Sequence, residues 1–250
     1  MTVLLALDSS TEIMTLALSS PAGEALFEAE GGANASARLV PEALALLAGA
    51  GLRLADVDAI AFGRGPGAFT GLRAACAVVQ GLAFGAAKPV LAIDSLALVA
   101  EDARQQAALA GAPLSGRVWV AMDARMGEIY AAAFQCSADG AWQTEQAPAL
   151  YKPADLAAHW LSQGEVFVLA GSALTPFAAE LALAEALFEG RAWPQSRSRA
   201  AALAALARQA WAKGELLDAA EAMPVYVRDK VAQTTQERLA LRAAAAAAAP

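Results

Sequence analysis

The chain has 250 residues, a formal net charge of −7 and a hydrophobic content of 58%. Its length permits one large domain or two smaller ones with real cores. Nucleic-acid binding normally rests on basic clusters, and 25 Asp and Glu against 18 Lys and Arg do not favour it, so any nucleic-acid substrate is expected to be held by another subunit.

Hydrophobic patterning predicts one mixed α/β unit in residues 1–110. Three strands are followed by a helix, a strand, a helix, a strand and a last helix. The predicted strands are 3–7, 13–18, 24–30, 57–62 and 89–93, and the predicted helices are 34–48, 70–84 and 95–109. A hairpin turn at 21–23 joins the second and third strands.

A glycine-rich loop at 62–73 connects a buried strand to a helix. Its glycines are Gly63, Gly65, Gly67 and Gly71. Glycine permits close backbone approach, Thr70 is a candidate helix cap, and Arg64 and Arg73 add positive charge. A strand, a glycine loop and a helix N-terminus together form a natural anion pocket. A tight turn without a ligand fits the same spacing.

The helix at 70–84 is apolar on two faces. The first stripe is Leu72, Ala75, Cys76, Val79 and Leu82, and the second is Ala74, Ala77, Val78, Gly81 and Phe84. A helix that is apolar nearly all round must be covered on more than one face. It is therefore either a central helix of one fold, or a helix with one face on the core and one on a partner chain.

A second unit is predicted at 117–222, after a linker at 111–116, and a C-terminal segment at 223–250 follows it. The sequence Ala6-Leu7-Asp8 with Glu12-Ile13 recurs as Ala121-Met122-Asp123 with Glu128-Ile129. This recurrence predicts two copies of one half-fold that face each other.

The elements of the second unit are also predicted from periodicity. Strands are expected to end at Asp123, to start at Ile129, and to cover 141–148 and 166–169; helices are expected at 154–162, 176–188 and 199–213, and an extended segment at 223–228. The alanine run at 243–249 is expected to be a frayed helical tail.

Two strand-end carboxylates, Asp8 and Asp123, are candidates to hold Mg²⁺-nucleotide across a cleft. Aspartates at strand ends are also common turn formers. The candidate nucleotide- or anion-binding set is Asp8, Ser9, Arg64, Gly65, Gly67, Asp123 and Gly171. Arg125 and Glu128 flank Gly127 and are candidates to pair with each other across the turn.

Neither a metal site nor a cofactor site is predicted. His159 is the only histidine, and neither Cys76 nor Cys136 has a partner at metal-ligand spacing. The N-terminus lacks the basic region of a signal peptide, and no run of about 20 strongly apolar residues occurs. We expect a cytoplasmic protein that makes no membrane contact and has no general base of its own.

Three motifs together resemble one known family. GRGPGAFTGLR at 63–73, DARMGEIY at 123–130 and PVYVR at 224–228 resemble the TsaB (YeaZ) proteins. The resemblance implies the α/β actin-like ATPase fold (sugar kinase/Hsp70), with two RNase-H-like subdomains that each hold a mixed five-stranded sheet flanked by helices. This fold agrees with the internal repeat.

The resemblance also implies a function. Members of the family take part in making N6-threonylcarbamoyladenosine at position 37 of tRNAs that read ANN codons. The catalytic subunit is the paralogue TsaD, which binds metal through a His-x-x-x-His motif, and TsaB dimerises with it as a non-catalytic partner. An ATPase, TsaE, joins the assembly, so tRNA is expected to be reached only through the complex. Ala35 stands where many relatives have a histidine, which removes one more metal ligand.

The family forms its dimer surface from two helices that match 34–48 and 70–84 here. The predicted partner interface is Leu39, Ala43, Leu46, Ala74, Ala77, Val78 and Gly81. Without its partner, the chain is expected to bury this surface in a homodimer. The alternatives are a stand-alone kinase-like phosphotransferase that uses Asp8 and Asp123, and a hydrolase.

Overall fold

A computed structural model describes residues 2–228, and the alanine run at 243–249 lies outside the described residues. The strands are β1 (Leu4–Asp8), β2 (Ile13–Ser20), β3 (Gly23–Glu30), β4 (Ala59–Gly65), β5 (Val90–Asp94), β6 (Gly116–Asp123), β7 (Ile129–Cys136), β8 (Trp142–Tyr151), β9 (Val168–Ala170) and β10 (Ala192–Trp193). The α-helices are α1 (Ala35–Gly49), α2 (Phe69–Ala86), α3 (Ser95–Leu109), α4 (Pro153–Gln163), α5 (Ala178–Leu181) and α6 (Ala200–Lys213).

The strands form two five-stranded sheets with the same topology. The first sheet has the order β3-β2-β1-β4-β5, and the second, read from its other edge, has the order β8-β7-β6-β9-β10. In both sheets the first three strands are antiparallel, and the last two run parallel to the central strand. The predicted repeat is confirmed, and Asp8 and Asp123 are the last residues of the equivalent strands β1 and β6.

The central strands are buried on both faces, which explains their continuous apolar sequences. In β1, Leu5 and Leu7 pack in a core beneath α1 and α2, whereas Leu4 and Ala6 face a second core on the opposite side. In β6, Val118 faces that same second core, and Trp119 faces a third core beneath α4. Alternating side chains therefore sort into three apolar layers.

The middle layer is shared by the two sheets. It is built by α3 and α6, whose buried residues form one cluster with residues of both sheets. Although α6 follows the second sheet in sequence, it packs against β1, β2 and β5 of the first sheet, and α3 packs against β6 and β7 of the second. Residues 1–110 thus supply the first sheet and residues 117–222 the second. However, α3 of the first range packs against the second sheet, and α6 of the second range packs against the first sheet.

Helix α2 is long and apolar enough, by length and composition alone, to cross a membrane, with a mean hydropathy of 1.3. Its inner stripe, which includes Ala75 and Val79, packs in the core of the first sheet. The helix is thus built into the outer layer of the first half.

The prediction of one continuous α-helix at 176–188 is wrong. The structure has only the four-residue helix α5 there, followed by a 3-10 segment at Ala182–Leu187. Helix propensity is a weak preference, and packing against α4 and the buried Leu181 and Ala184 overrides it in this alanine-rich run. The two-residue strand β10 carries too short a pattern to be found from sequence.

Candidate functional site

A cleft of about 840 Å³ lies between the two halves, beside the ends of β1 and β6. The first half contributes the turn after β1 and the glycine-rich loop, and the second half contributes the β6–β7 turn and residues 194–198. Asp123 lines the cleft, whereas Asp8 does not. The two halves therefore face each other as the sequence predicts, but only one of the two aspartates is presented to the space between them.

Asp8 is completely buried, and its carboxylate is occupied by donors from the chain itself. Ser10 donates from its backbone N at 3.3 Å and from Oγ at 2.8 Å, and Ser95 Oγ lies 3.5 Å away. Burial raises the pKa of Asp8 above its ordinary value of 3.8, and hydrogen bonds from Ser198, Ser10 and Ser95 oppose the rise. Asp8 joins β1 to the start of α3 and to the segment before α6.

The glycine-rich loop packs directly onto the turn after β1. A Cβ at Gly67 would lie 2.3 Å from the carbonyl oxygen of Ser10, and a Cβ at Gly71 would lie 1.7 Å from that of Ser9. Ser9 Oγ donates to the Gly71 carbonyl at 2.8 Å, and the Ala68 amide donates to the Ser10 carbonyl at 2.6 Å. These two glycines are required because another backbone occupies the space of a side chain.

The glycines at the end of β4 admit other parts of the chain in the same way. A Cβ at Gly63 would lie 1.9 Å from Oδ1 of Asp8. Gly65 has φ of +109° and donates its amide to Ser95 Oγ at 3.0 Å, and a Cβ there would lie 2.7 Å from the Val225 carbonyl oxygen. In this structure the loop is filled by its own chain, and an anion-binding role for it stays a prediction.

Arg64 does not line the cleft, and its charge acts on Asp94 instead. Asp94 caps α3 by accepting hydrogen bonds from the amides of Leu96 at 2.8 Å and Ala97 at 3.4 Å. Burial raises the pKa of Asp94, and these hydrogen bonds and the nearby Arg64 oppose the rise. Asp94 therefore caps α3, which begins where the helix at 95–109 is predicted.

The expected cap of α2 is wrong. Ala68 is the N-cap residue and makes no side-chain cap hydrogen bond, while Thr70 lies within the first helical turn and is exposed. Thr70 lines the cleft.

The charged side chains of the β6–β7 turn do not form the candidate pair between Arg125 and Glu128. Asp123 accepts hydrogen bonds from the Arg125 amide at 2.8 Å and from Arg125 Nη1 at 3.2 Å, while its own amide donates to Ser172 Oγ at 3.2 Å. Glu128 pairs with Arg228 at 2.6 Å. The candidate ion pair between Arg125 and Glu128 is therefore not formed, because each side chain pairs with another residue.

Gly171 has the same packing role in the second half as the β4 glycines have in the first. It has φ of +115°, and a Cβ there would lie 2.4 Å from the Ala121 carbonyl oxygen. Gly171 thus lets the end of β9 approach the backbone of β6.

The cleft wall at residues 194–198 is held by two ion pairs that the sequence did not reveal. Arg197 Nη2 lies 2.9 Å from Glu28 of β3, and Arg199 Nε lies 3.0 Å from the buried Asp102 of α3. Both arginines stand out in the sequence as a small basic group, but their acidic partners lie roughly a hundred residues or more away along the chain. Only the fold brings these charges together.

Within residues 2–228, no group of three or more His, Cys, Asp and Glu side chains is arranged to hold a metal ion. His159 lies in α4, where Nε2 is 3.2 Å from Oε1 of Gln146 and the imidazole meets the Trp119 ring edge-on at 5.7 Å. His159 therefore has a packing role on the outer side of the second sheet.

The second apolar stripe of α2 faces outward, as the sequence predicts. Ala77 and Gly81 are exposed, Ala74 and Val78 are half-buried, and Phe84 is 83% exposed. No atom lies within 4 Å of a Cβ placed at Gly81. The small side chains leave a shallow face with one large aromatic residue at its C-terminal end.

The prediction that α1 contributes Leu39 and Ala43 to the partner interface is wrong. Leu39 and Ala43 are 0% exposed and pack in the core of the first sheet together with Leu47, whereas Leu46 is half-buried. The spacing of Leu39, Ala43 and Leu47 at i, i+4 and i+8 is the signal that assigns them to the inner face. Leu44 of the same helix is 46% exposed and is the outward leucine.

Comparison with known proteins agrees with the three motifs. The family model described as "TsaD: tRNA N6-adenosine threonylcarbamoyltransferase" matches residues 29–246. The Escherichia coli protein named tRNA threonylcarbamoyladenosine biosynthesis protein TsaB is 32% identical over 92% of this chain and 96% of its own length, and the Haemophilus influenzae protein of that name is 41% identical over 51% of each.

A solved structure, YeaZ from Pseudomonas aeruginosa, superposes with a TM-score of 0.77 at 36% identity and covers 90% of this chain and 100% of its own. The two matched sheets and their helices have the arrangement of an actin-like fold with two RNase-H-like halves. The chain therefore belongs to the TsaB (YeaZ) family of tRNA threonylcarbamoyladenosine biosynthesis proteins, within the actin-like ATPase superfamily.

Proposed function

We propose that the chain is a non-catalytic subunit of the assembly that makes N6-threonylcarbamoyladenosine at position 37 of tRNAs that read ANN codons. The observation that carries the proposal is the similarity to TsaB over almost the whole chain. It is supported by the candidate site, where Asp8 is buried and hydrogen-bonded and the glycines admit neighbouring backbone.

The partner in this proposal is a TsaD-like catalytic paralogue that docks on the outward stripe of α2. The stripe suits a helix partner, because Ala77 and Gly81 permit close approach and the exposed Phe84 supplies apolar area. A helix of 18 residues is about 27 Å long, which is long enough to form one side of an interface of standard size. A homodimer through the same stripe is the expected form of the lone chain.

The rest of the assembly follows from the same family relationship. A TsaE-like ATPase joins the complex, and the net charge of −7 fits a subunit that reaches tRNA only through its partners. The cytoplasm is the proposed location, because tRNA modification takes place there.

A stand-alone kinase is not favoured. Such an enzyme needs strand-end carboxylates that reach a bound Mg²⁺-nucleotide, and Asp8 is 0% exposed. The burial of Asp8 argues against kinase chemistry but not against nucleotide binding, because Asp123 and Ser172 line the cleft.

Reconstitution tests the proposed function. The lone chain, a TsaD-type protein and their mixture, each with a TsaE-type ATPase, receive tRNA and a threonylcarbamoyl donor, and the modified nucleoside is measured by mass spectrometry. The mixture is expected to modify tRNA, whereas the lone chain is expected to form no product. In a parallel reaction without the ATPase, the lone chain is expected to hydrolyse no ATP. Turnover by the lone chain that is lost in Asp8→Asn would overturn the non-catalytic assignment.

A further inference from the structure

Residues 222–228, here called the strap, cross from α2 of the first half to the β6–β7 turn of the second. The strap begins against α2, where the carbonyl oxygen of the buried Ala222 accepts hydrogen bonds from Gln80 Nε2 at 2.8 Å and from Cys76 Sγ at 3.2 Å. Gln80 and Cys76 are one helical turn apart. The first residue of the strap is therefore attached to the middle of α2.

The centre of the strap lies on the end of β4. The Val225 amide donates to the Arg64 carbonyl at 2.7 Å, and the Val225 carbonyl oxygen would lie 2.7 Å from a Cβ placed at Gly65. Such close contact between two backbones leaves little room for the strap to shift without breaking its hydrogen bond. The strap is thus held in register with the first sheet.

Tyr226 attaches the strap to the first turns of α2. Its ring lies 5.1 Å from that of Phe69, and its hydroxyl accepts a hydrogen bond from Arg73 Nε at 3.0 Å. The Arg73 guanidinium lies 3.7 Å from the centre of the Phe69 ring. Arg73 itself lines neither the cleft nor the smaller cavity of about 190 Å³ beside the strap.

Arg228 reaches the second half. Its Nη2 donates to the carbonyl oxygens of Ala124 at 3.1 Å and Arg125 at 3.2 Å and to Glu128 Oε2 at 2.6 Å, and its side chain is only 14% exposed. The turn contains three consecutive left-handed residues, with φ of 64° at Arg125, 59° at Met126 and 73° at Gly127. Two of these are not glycine, so the turn needs outside support to keep its shape.

We propose that the strap couples α2 to the wall of the cleft. Contacts that immobilise α2 hold the strap through Arg73 and Tyr226, and the strap holds the β6–β7 turn through Arg228. That turn presents Asp123 and Arg125 to the cleft. The identity of whatever immobilises α2 rests on the proposed function, whereas the coupling itself is a property of this chain alone.

Hydrogen exchange of the purified full chain tests the coupling, with the amides of Ala124 and Glu128 as reporters because both are hydrogen-bonded inside the turn. Arg228→Met is expected to speed exchange at both amides by tenfold or more. Arg73→Met, which touches the turn only through the strap, is expected to speed it several-fold. Arg53→Met removes another exposed arginine, whose side chain binds only Asp56, and this variant is expected to change nothing at the turn.

Exchange at the turn that stays at the parent rate in Arg73→Met, with α2 still protected, would overturn the coupling and leave Arg228 as a local cap. If Arg228→Met does not fold, Glu128→Gln removes the same ion pair and replaces it as the positive control. Parent exchange rates in both Glu128→Gln and Arg73→Met would overturn the proposal as well.

A second measurement adds a TsaD-type protein to the parent chain. Binding with slower exchange at Ala124 and Glu128 supports the link from the partner surface to the cleft, and binding without any change at the turn refutes that link. Failure to bind contradicts the proposed function alone, because the variant series has already decided the coupling within the lone chain.

Discussion

Individual glycines show how one sequence feature can have two physical causes. A glycine is needed wherever a phosphate must approach the backbone, and equally wherever a second backbone must. In α2, a Cβ at Gly71 would lie 1.7 Å from the Ser9 carbonyl oxygen, which is far inside van der Waals contact. Because Ser9 is itself buried and bonded to Gly71, neither segment can retreat easily.

We therefore predict that Gly71→Ala destabilises the chain by about 1–3 kcal/mol or more, as overpacking of a backbone contact does. Gly85→Ala is the matched control, since Gly85 lies in the same helix with no atom within 4 Å of its Cβ position. Removing a helix glycine there is expected to stabilise the chain by up to about 1 kcal/mol. Urea unfolding measures both, and a Gly71→Ala chain as stable as the parent would contradict the packing role.

The positions of the site residues in the strands could be predicted from the sequence, but their contact partners could not. The continuous apolar run at 3–7 ends at Asp8, so its place at the end of a strand follows from the sequence. Its burial depends on Ser95 and Ser198, which arrive from the start of α3 and from the segment before α6. Such long-range convergence of hydroxyl groups leaves no local pattern to detect.

At the scale of elements, the two faces of α2 differ in burial. Its inner stripe is covered by the first sheet. In its outer stripe, Ala77 and Gly81 are exposed, and Ala74 and Val78 are only half-buried at the edge of that core. Ala75 is 0% exposed in the inner stripe, and Ala77, two positions on, is exposed. This contrast allows the two faces to be tested separately with the same substitution.

Ala77→Arg is predicted to leave the monomer folded and to break both the homodimer and the complex with a TsaD-type partner. A charge left unpaired in the middle of an interface costs about 3 kcal/mol or more, which is roughly a hundredfold in Kd. Ala75→Arg is predicted instead to unfold the monomer, because no water reaches that position. Light scattering after size exclusion, with thermal unfolding, distinguishes the two, and loss of monomer folding in Ala77→Arg would show that the outer stripe is core.

The positions of most helices and strands along the chain could be predicted, whereas the sheet that each helix packs against could not. Periodicity finds an apolar face on α3 and on α6 but does not say which sheet covers it. The buried residues of α6 are mostly alanines, including Ala200, Ala204 and Ala207, whose small size suits the narrow space between two sheets. The position of α6 on the first sheet, and of α3 between the two sheets, follows from three-dimensional packing alone.

The whole molecule is held together by the layer that the two halves share. Leu203 of α6 lies in this layer with Val118 of β6 and Leu91 of β5, and all three are completely buried. Neither sheet keeps its inner face covered if this layer is lost. The halves are therefore expected to unfold together even though each has its own outer core.

Leu203→Ala tests this cooperativity, with a predicted destabilisation of about 2–5 kcal/mol from the lost contacts and the cavity left behind. In a background where Trp142, Trp193 and Trp211, which pack against the shared layer, are replaced by phenylalanine, the remaining tryptophans are Trp119 and Trp160. Both are buried in the outer core of the second half and report on a region that Leu203 does not belong to. Their fluorescence and the far-UV circular dichroism are expected to shift to the same lower midpoint in urea. Leu183→Ala, at a position 67% exposed, is expected to change stability by no more than about 0.5 kcal/mol. A tryptophan transition that keeps the parent midpoint in Leu203→Ala, while the circular dichroism falls in two steps, would mean that the halves unfold independently.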